Sequence, residues 1–271
     1  MNILSSNHSK AASLLPFGYY AVTRVPGWRD FCYLIASSWI PVIWIIFRTS
    51  SKGLGEALLA FVIGYLAFIA IYEIGYLVND VWDSRKRAAG RSRTPFSIGS
   101  VYVAFFVVVR LTVWAAIAVL TRWVANPVWL AGFAGLVATI VLHNLISATA
   151  LRVSSFYGLA MFRFAMPAVA AIPSDSLLLL FIAATLFYAL PRTLAYMDSK
   201  ELLQMPDRRH PQFTFLFLLV LSPITLLIAA ASSALIAEIL IYMLAVSGFW
   251  AVAQRVTAVE SPPRAPLERL R

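Results

Sequence analysis

The sequence predicts an all-α polytopic membrane protein, a single bundle of about eight transmembrane helices, and three observations carry that expectation. Of the 271 residues, 61% are hydrophobic and 13% charged, and the mean hydropathy of +0.81 is well above that of a soluble domain. Apolar runs long enough to cross about 30 Å of hydrocarbon at about 1.5 Å per residue recur along the whole chain. They lack the two-residue alternation of a membrane β-barrel, so helices are the elements that satisfy the backbone in lipid.

Residues 1–30 hold a short apolar patch, LLPFGYYAV, without a long hydrophobic stretch and cleavage site. They read as a cytoplasmic, interfacial segment with Trp28 and the tyrosines near lipid headgroups. Spans are expected at 31–48, 54–80, 99–121, 125–146, 153–172, 176–197, 212–231 and 234–254. They form one transmembrane domain, 31–254, and the Pro-rich, charged tail 255–271 is expected to be disordered. The lone Cys32 rules out a disulfide framework and a thiolate metal site.

The net charge of +10 gains its meaning from location. Most basic residues fall at the amino terminus, after even-numbered spans or in the tail, so the positive-inside rule places both termini and the loops 81–98, 147–152 and 198–211 in the cytoplasm. The charge therefore points to membrane topology, with lipids as partners and no nucleic acid. An integral protein of a bacterial cytoplasmic membrane is the expected setting; the sequence says nothing of oligomeric state.

At the end of the second span, EIGYLVNDVWDSRKR turns from apolar to acidic to basic. Helical spacing puts Glu73, Tyr76, Asp80, Asp83 and Arg87 on one stripe, with Asn79 beside it. Carboxylates at a membrane boundary are costly and face a bundle interior or a water-filled cavity. Asp80, Asp83 and Asn79 are hard oxygen donors suited to Mg²⁺, and the following arginines, including Arg87 and Arg93, suit phosphate oxygens. The alternative is a juxtamembrane loop whose aspartates offset topology-setting arginines. A second polar run, YMDSKE, ends the sixth span and supplies Tyr196, Asp198, Lys200 and Glu201 on the same expected face.

Arginines within spans need partners. Arg163 either binds a phosphate in the same cavity or pairs with Glu73, and Arg110 either snorkels or serves structure. Arg152 touches phosphate or marks topology, and His143 reads as a helix-end polar residue.

These residues resemble the UbiA superfamily of intramembrane prenyltransferases. N79-D80-V-W-D83 matches the start of its Asn-Asp-x-x-Asp-x-x-x-Asp motif, and D198-S-K-E201 falls where its second acidic motif lies. Arg24-Val-Pro-Gly-Trp28 is similar to the segment leading into the family's first helix, and Arg91-Ser-Arg-Thr-Pro95 to the stretch after the first motif. The sequence departs from the pattern at Arg87 and Leu202, which stand where the family has aspartates, and in its count of eight spans instead of nine.

The resemblance implies a cavity opening near the cytoplasmic face and Mg²⁺ held by Asn79, Asp80, Asp83, Asp198 and Glu201. It implies a diphosphate on Arg24, Arg87, Arg93, Arg152, Arg163 and Lys200, and catalytic roles for Asp80, Asp83, Asp198 and Tyr196. The activity implied is transfer of an isoprenyl group from a prenyl diphosphate to an acceptor. Arg152 and Arg163 are also similar to basic positions of the decaprenyl-phosphate phosphoribosyltransferase branch, in which a polyprenyl phosphate accepts a phosphoribosyl group. From another class, the chain could be a non-catalytic membrane protein or a small transporter with Glu73 and Arg163 as an ion path.

Overall fold

A computed structural model describes the backbone of residues 6–25, 27–86, 94–203 and 211–259, and the side chains of 9–25, 27–81, 94–203 and 212–253. Among the described residues all regular structure is helical. The chain divides into two units, Met1–Leu203 and Gln204–Arg271. We label the helices α1 (Ser6–Ala12), α2 (Gly18–Arg24), α3 (Trp28–Thr49), α4 (Leu54–Lys86), α5 (Ser100–Leu120), α6 (Pro127–Leu145), α7 (Arg152–Ala165), α8 (Ser174–Ser199), α9 (Pro211–Ala231) and α10 (Ala234–Val259).

Seven helices among the described residues are long and apolar enough to cross a membrane, namely α3 to α6 and α8 to α10. The protein is thus a polytopic integral membrane protein with long helices where seven of the eight expected spans lie. The fifth expected span, 153–172, is the exception. Its helix α7 has 14 residues, about 21 Å, and residues 166–172 continue as turns.

This segment still reaches from the end of α6 to the start of α4. Near its start, Ser155 Oγ contacts His143 Nδ1, and at its far end the Ala171 carbonyl accepts from Lys52 Nζ at 3.0 Å, beside the start of α4. Met166, Ala168, Val169 and Ala171 are buried. That burial is the condition under which non-helical backbone is tolerated at membrane depth. It depends on Gly64, where a Cβ would sit 2.1 Å from the Pro167 carbonyl oxygen.

Local chemistry sets the helix ends. Asn126 caps α6 by accepting from the Val128 and Trp129 amides, with Pro127 at the first helical position. In the second unit, α9 and α10 pack along each other. Pro223 removes the amide that would bond the Leu219 carbonyl, and Ser222 Oγ donates to that oxygen at 2.6 Å instead.

Helix α4 is 33 residues long, roughly 50 Å, and so outruns the hydrocarbon core. Its Glu73 is fully buried and pairs with Arg110 of α5, also fully buried, at 2.7 Å. The guanidinium Nε donates to Glu73 Oε2, and its terminal nitrogens also donate to the carbonyls of Ser13, Leu14 and Leu15. Glu73 in turn accepts from the Tyr20 amide at 2.7 Å and the Phe17 amide at 3.2 Å. The α1–α2 hairpin is therefore bound into the bundle. Its tight turn places Phe17 at φ 71°, costly for a bulky residue, and leaves no room for a Cβ at Gly18, which would meet the Ala12 carbonyl at 1.9 Å.

Two expectations are corrected here. Tyr19 and Tyr20, 0% and 5% exposed, are buried instead of lying near headgroups, because their backbone and hydroxyls serve the polar stripe of α4. Glu73 pairs with Arg110, not with Arg163. Of the two readings of Arg110, the structural one holds, since a fully buried guanidinium cannot snorkel.

Arg110→Leu strands a buried carboxylate and should destabilise the protein by about 3–5 kcal/mol. The expected readout is a lower thermal midpoint in detergent together with rapid proteolysis within the first 25 residues. Gly64→Val should abolish the folded population by forcing α4 off the 166–172 segment, whereas Gly53→Ala, with no heavy atom within 4 Å of its Cβ, serves as the silent control.

Candidate functional site: a cationic pocket beside Asp80

Tyr76 and Asp80 lie one and two turns beyond Glu73 on α4, so the stripe that holds the hairpin continues toward the helix end. Tyr19 donates its hydroxyl to Asp80 Oδ2 and Arg24 donates to Oδ1, each at 2.7 Å. Burial, then the adjacent carboxylate, pushes the Tyr19 hydroxyl far above its ordinary pKa, so it stays a proton donor. The Arg24 guanidinium lies 4.6 Å from the Tyr76 ring centroid. Tyr20 stacks on the other side of that network with Tyr76, at 5.9 Å.

A cavity of about 260 Å³ opens against this network. From α4 it is lined by Tyr72, Gly75, Tyr76 and Asn79, from α6 by Ile140, His143 and Asn144, from α7 by Arg152, Phe156 and Leu159, and from α8 by Tyr196, Ser199 and Lys200, with Arg24 at its edge. Among the described residues three cationic side chains line it and no Asp or Glu does. Arg152 Nε donates to the Ile146 carbonyl, and the Lys200 ammonium lies 5.7 Å from the Tyr196 ring centroid. Phe156 and Tyr196 stack at 4.1 Å with 10° between their planes, forming a flat apolar wall. The amino-terminal turn of α7 begins at this cavity and adds the positive end of its dipole.

Of the residues expected at the site, Arg24, Asn79, Arg152, Tyr196 and Lys200 line this one cavity, and Asp80 sits behind Arg24. Asp198 and Glu201 are not among its lining residues, and Glu201 is exposed at φ 60° in the turn after α8. Arg163 lies deeper, 5% exposed, donating to the Tyr20 and Tyr76 hydroxyls and facing the Tyr20 ring at 4.5 Å. The Asp83 side chain and all of Arg87 and Arg93 lie outside the described residues. Sequence reasoning did not single out Tyr19 and Tyr20, although the spacing of Tyr19, Tyr20 and Arg24 on one short helix carried the signal. It also passed over Phe156 and Asn144.

Next to this polar cavity lies an apolar groove of about 440 Å³ between α4, α5 and α6, sharing Gly75, Ile140 and Asn144 with it.

Among the described residues no three His, Cys, Asp or Glu side chains gather around a common point. If Mg²⁺ binds here, Asp80 and Asn79 would be its protein donors, and both Asp80 oxygens already accept hydrogen bonds. That set fits a cation that takes one or two carboxylates and completes its shell with water and substrate phosphates. Arg24→Gln frees Asp80 Oδ1 and should tighten Mg²⁺ binding about tenfold in calorimetric titration without substrate. Unchanged affinity would exclude Asp80 as a ligand. Compared with protein-family models, curated proteins and solved structures, the chain matches none of them.

Proposed function

We propose that the protein is an intramembrane transferase that binds a diphosphate-bearing donor in the cationic pocket and expels the diphosphate as the leaving group. The observation that supports this most directly is the convergence of Arg24, Arg152 and Lys200 on a cavity that no acidic side chain lines among the described residues. Such a cavity attracts a polyanion, and its cations gain strength from the low dielectric of the bundle.

In the prenyl-transfer form, Arg152 and Lys200 hold diphosphate oxygens from the α7 and α8 sides while Arg24 faces them from the hairpin. As the carbon–oxygen bond of the donor breaks, these cations stabilise the charge that develops on the departing oxygen. Tyr76, Phe156 and Tyr196 line the same space, where their rings exclude water. An acceptor nucleophile then forms the new bond to that carbon and releases its proton. Mg²⁺, when bound through Asp80 and Asn79, with Asp83 as a further oxygen donor, would neutralise part of the diphosphate charge.

Transfer of a phosphoribosyl group to a polyprenyl phosphate is the second proposal, favoured by the excess of cations over carboxylates among the described residues that line the cavity. Phosphoribosyl diphosphate carries a further phosphate for those cations to hold.

Membranes containing the protein should show Mg²⁺-dependent turnover of prenyl diphosphates or of phosphoribosyl diphosphate in a labelled-donor panel. Arg152→Gln should lower kcat/KM by about 10²-fold, the loss typical of one preorganised charge-stabilising donor, and Asp83→Asn should lower it too. Label from phosphoribosyl diphosphate in lipid would select the second form. Equal turnover by both variants would remove the pocket and the acidic motif from the chemistry.

A further inference from the structure

His143 of α6 lines the cationic pocket and has no part in the chemistry proposed for the cations. Its Nδ1 lies 3.0 Å from Ser155 Oγ, in the first turn of α7. That contact fixes the tautomer. A serine hydroxyl carries one proton, and Ser155 directs its own at the Arg152 carbonyl, 3.0 Å away. Ser155 Oγ therefore accepts from His143, Nδ1 carries the imidazole proton, and Nε2 keeps a free lone pair. Among the described residues Nε2 has no hydrogen-bond partner, and the side chain is partly exposed.

Among the described residues no other lining group is suited to take up a proton. The cations Arg24, Arg152 and Lys200 offer no lone pair, and the tyrosine hydroxyls and the amides of Asn79 and Asn144 are poor bases. Asp80, behind the lining, already accepts from Tyr19 and Arg24. The imidazole is also held by its neighbours. Its centroid lies 6.3 Å from that of Tyr196 and 6.5 Å from that of Phe156, the stacked pair that walls the pocket. One nitrogen is thus anchored and the other is basic, in the space where the proposed transfer occurs.

We infer that His143 Nε2 takes the proton the acceptor loses, and that the acceptor is therefore an un-ionised hydroxyl compound and not a phosphate. The inference rests on the proposed transfer from a diphosphate-bearing donor. As the donor's carbon–oxygen bond breaks, its electron pair leaves with the diphosphate. A lone pair of the acceptor oxygen forms the new bond to that carbon, the acceptor O–H bond breaks, and the proton passes to the Nε2 lone pair. The imidazolium then shares the cavity with the diphosphate and hands the proton to one of its oxygens, which restores the neutral ring. Ser155 is a positioning residue, since its hold on Nδ1–H leaves Nε2 as the basic atom. A polyprenyl phosphate needs no such base, because its nucleophilic oxygen is already ionised at neutral pH.

The experiment uses full-length protein in nanodiscs. Diethyl pyrocarbonate, which acylates an unprotonated imidazole nitrogen, should modify His143, and inorganic diphosphate should block the reaction. His143 left unmodified in the folded protein but modified after denaturation would overturn the inference whatever the donor. Turnover is then measured with labelled prenyl diphosphates and a series of phenols and alcohols of graded acidity as acceptors. His143→Asn keeps an N–H for Ser155 and carries no basic nitrogen. It should lower kcat by about 10²-fold with the least acidic acceptor, the lower end of what a positioned base supplies, while affinity for inorganic diphosphate stays unchanged. The loss should shrink as the acceptor becomes more acidic, which a merely structural imidazole would not produce. Equal kcat in variant and wild type, or a loss independent of acceptor acidity, would overturn the inference and leave the diphosphate site in place. Transfer to a polyprenyl phosphate alone, with no hydroxyl compound accepting, would overturn it too. Modification that diphosphate does not block, or no transfer from any donor, would remove the proposed use of the pocket, and the inference falls with it.

Discussion

The contact between Glu73 and Arg110 is the constraint on which the rest of the first unit depends. Neither charge could stay buried alone at the cost lipid imposes, yet their mutual bond uses only part of the guanidinium's donors. The remaining donors require carbonyls, and those of Ser13, Leu14 and Leu15 provide them. Glu73 likewise needs donors for the rest of its acceptor capacity and finds them in the amides of Phe17 and Tyr20. Pair and hairpin therefore satisfy each other, and removing either leaves the other with buried, unmatched polarity.

Once Tyr20 is fixed on Glu73, helical geometry fixes its neighbours. Tyr19, adjacent on α2, reaches Asp80 two turns along α4, and Arg24, one turn further on α2, meets the other oxygen of the same carboxylate. The hairpin thus delivers a cation and a phenol to the end of α4. It also sets the polarity of the pocket, since Arg24 shields Asp80 from the cavity and leaves a lining in which cations predominate. Arg163, with only the phenols of Tyr20 and Tyr76 as hydrogen-bond partners among the described residues, adds positive potential behind that lining.

The long helices were legible because hydropathy at this density admits few alternatives, and the stripe on α4 was legible because spacing alone puts Glu73, Tyr76 and Asp80 on one face. The partner of Glu73 was not. Arg110 and Arg163 are each a single arginine in an apolar run, and the choice between them turns on which helix packs where. The hairpin escaped notice because its seven-residue helices are shorter than any span and its apolar content looks like a membrane-surface segment. Its hold on Glu73 and Arg110 is made by backbone groups, which leave no trace in side-chain pattern. The fifth span was overextended for a related reason. Residues 166–172 are apolar enough for a helix, but Gly64 lets a turn approach α4 closely enough that none is required.

Helices that alternate in direction explain why the candidate site lies where it does. The carboxyl ends of α4, α6 and α8 and the amino end of α7 all meet at the cavity, so their terminal residues are the ones that can be polar without facing hydrocarbon. A helix end also carries unsatisfied backbone groups and a partial charge, and the amino end of α7 is the one that favours an anion. A few residues back along α4 and α6, the same helices must be apolar again, because they have re-entered lipid. A polar pocket adjoining an apolar groove is therefore what helix ends at a membrane boundary produce when they leave space between them. Gly75, packed against Ile140, stands between the two environments.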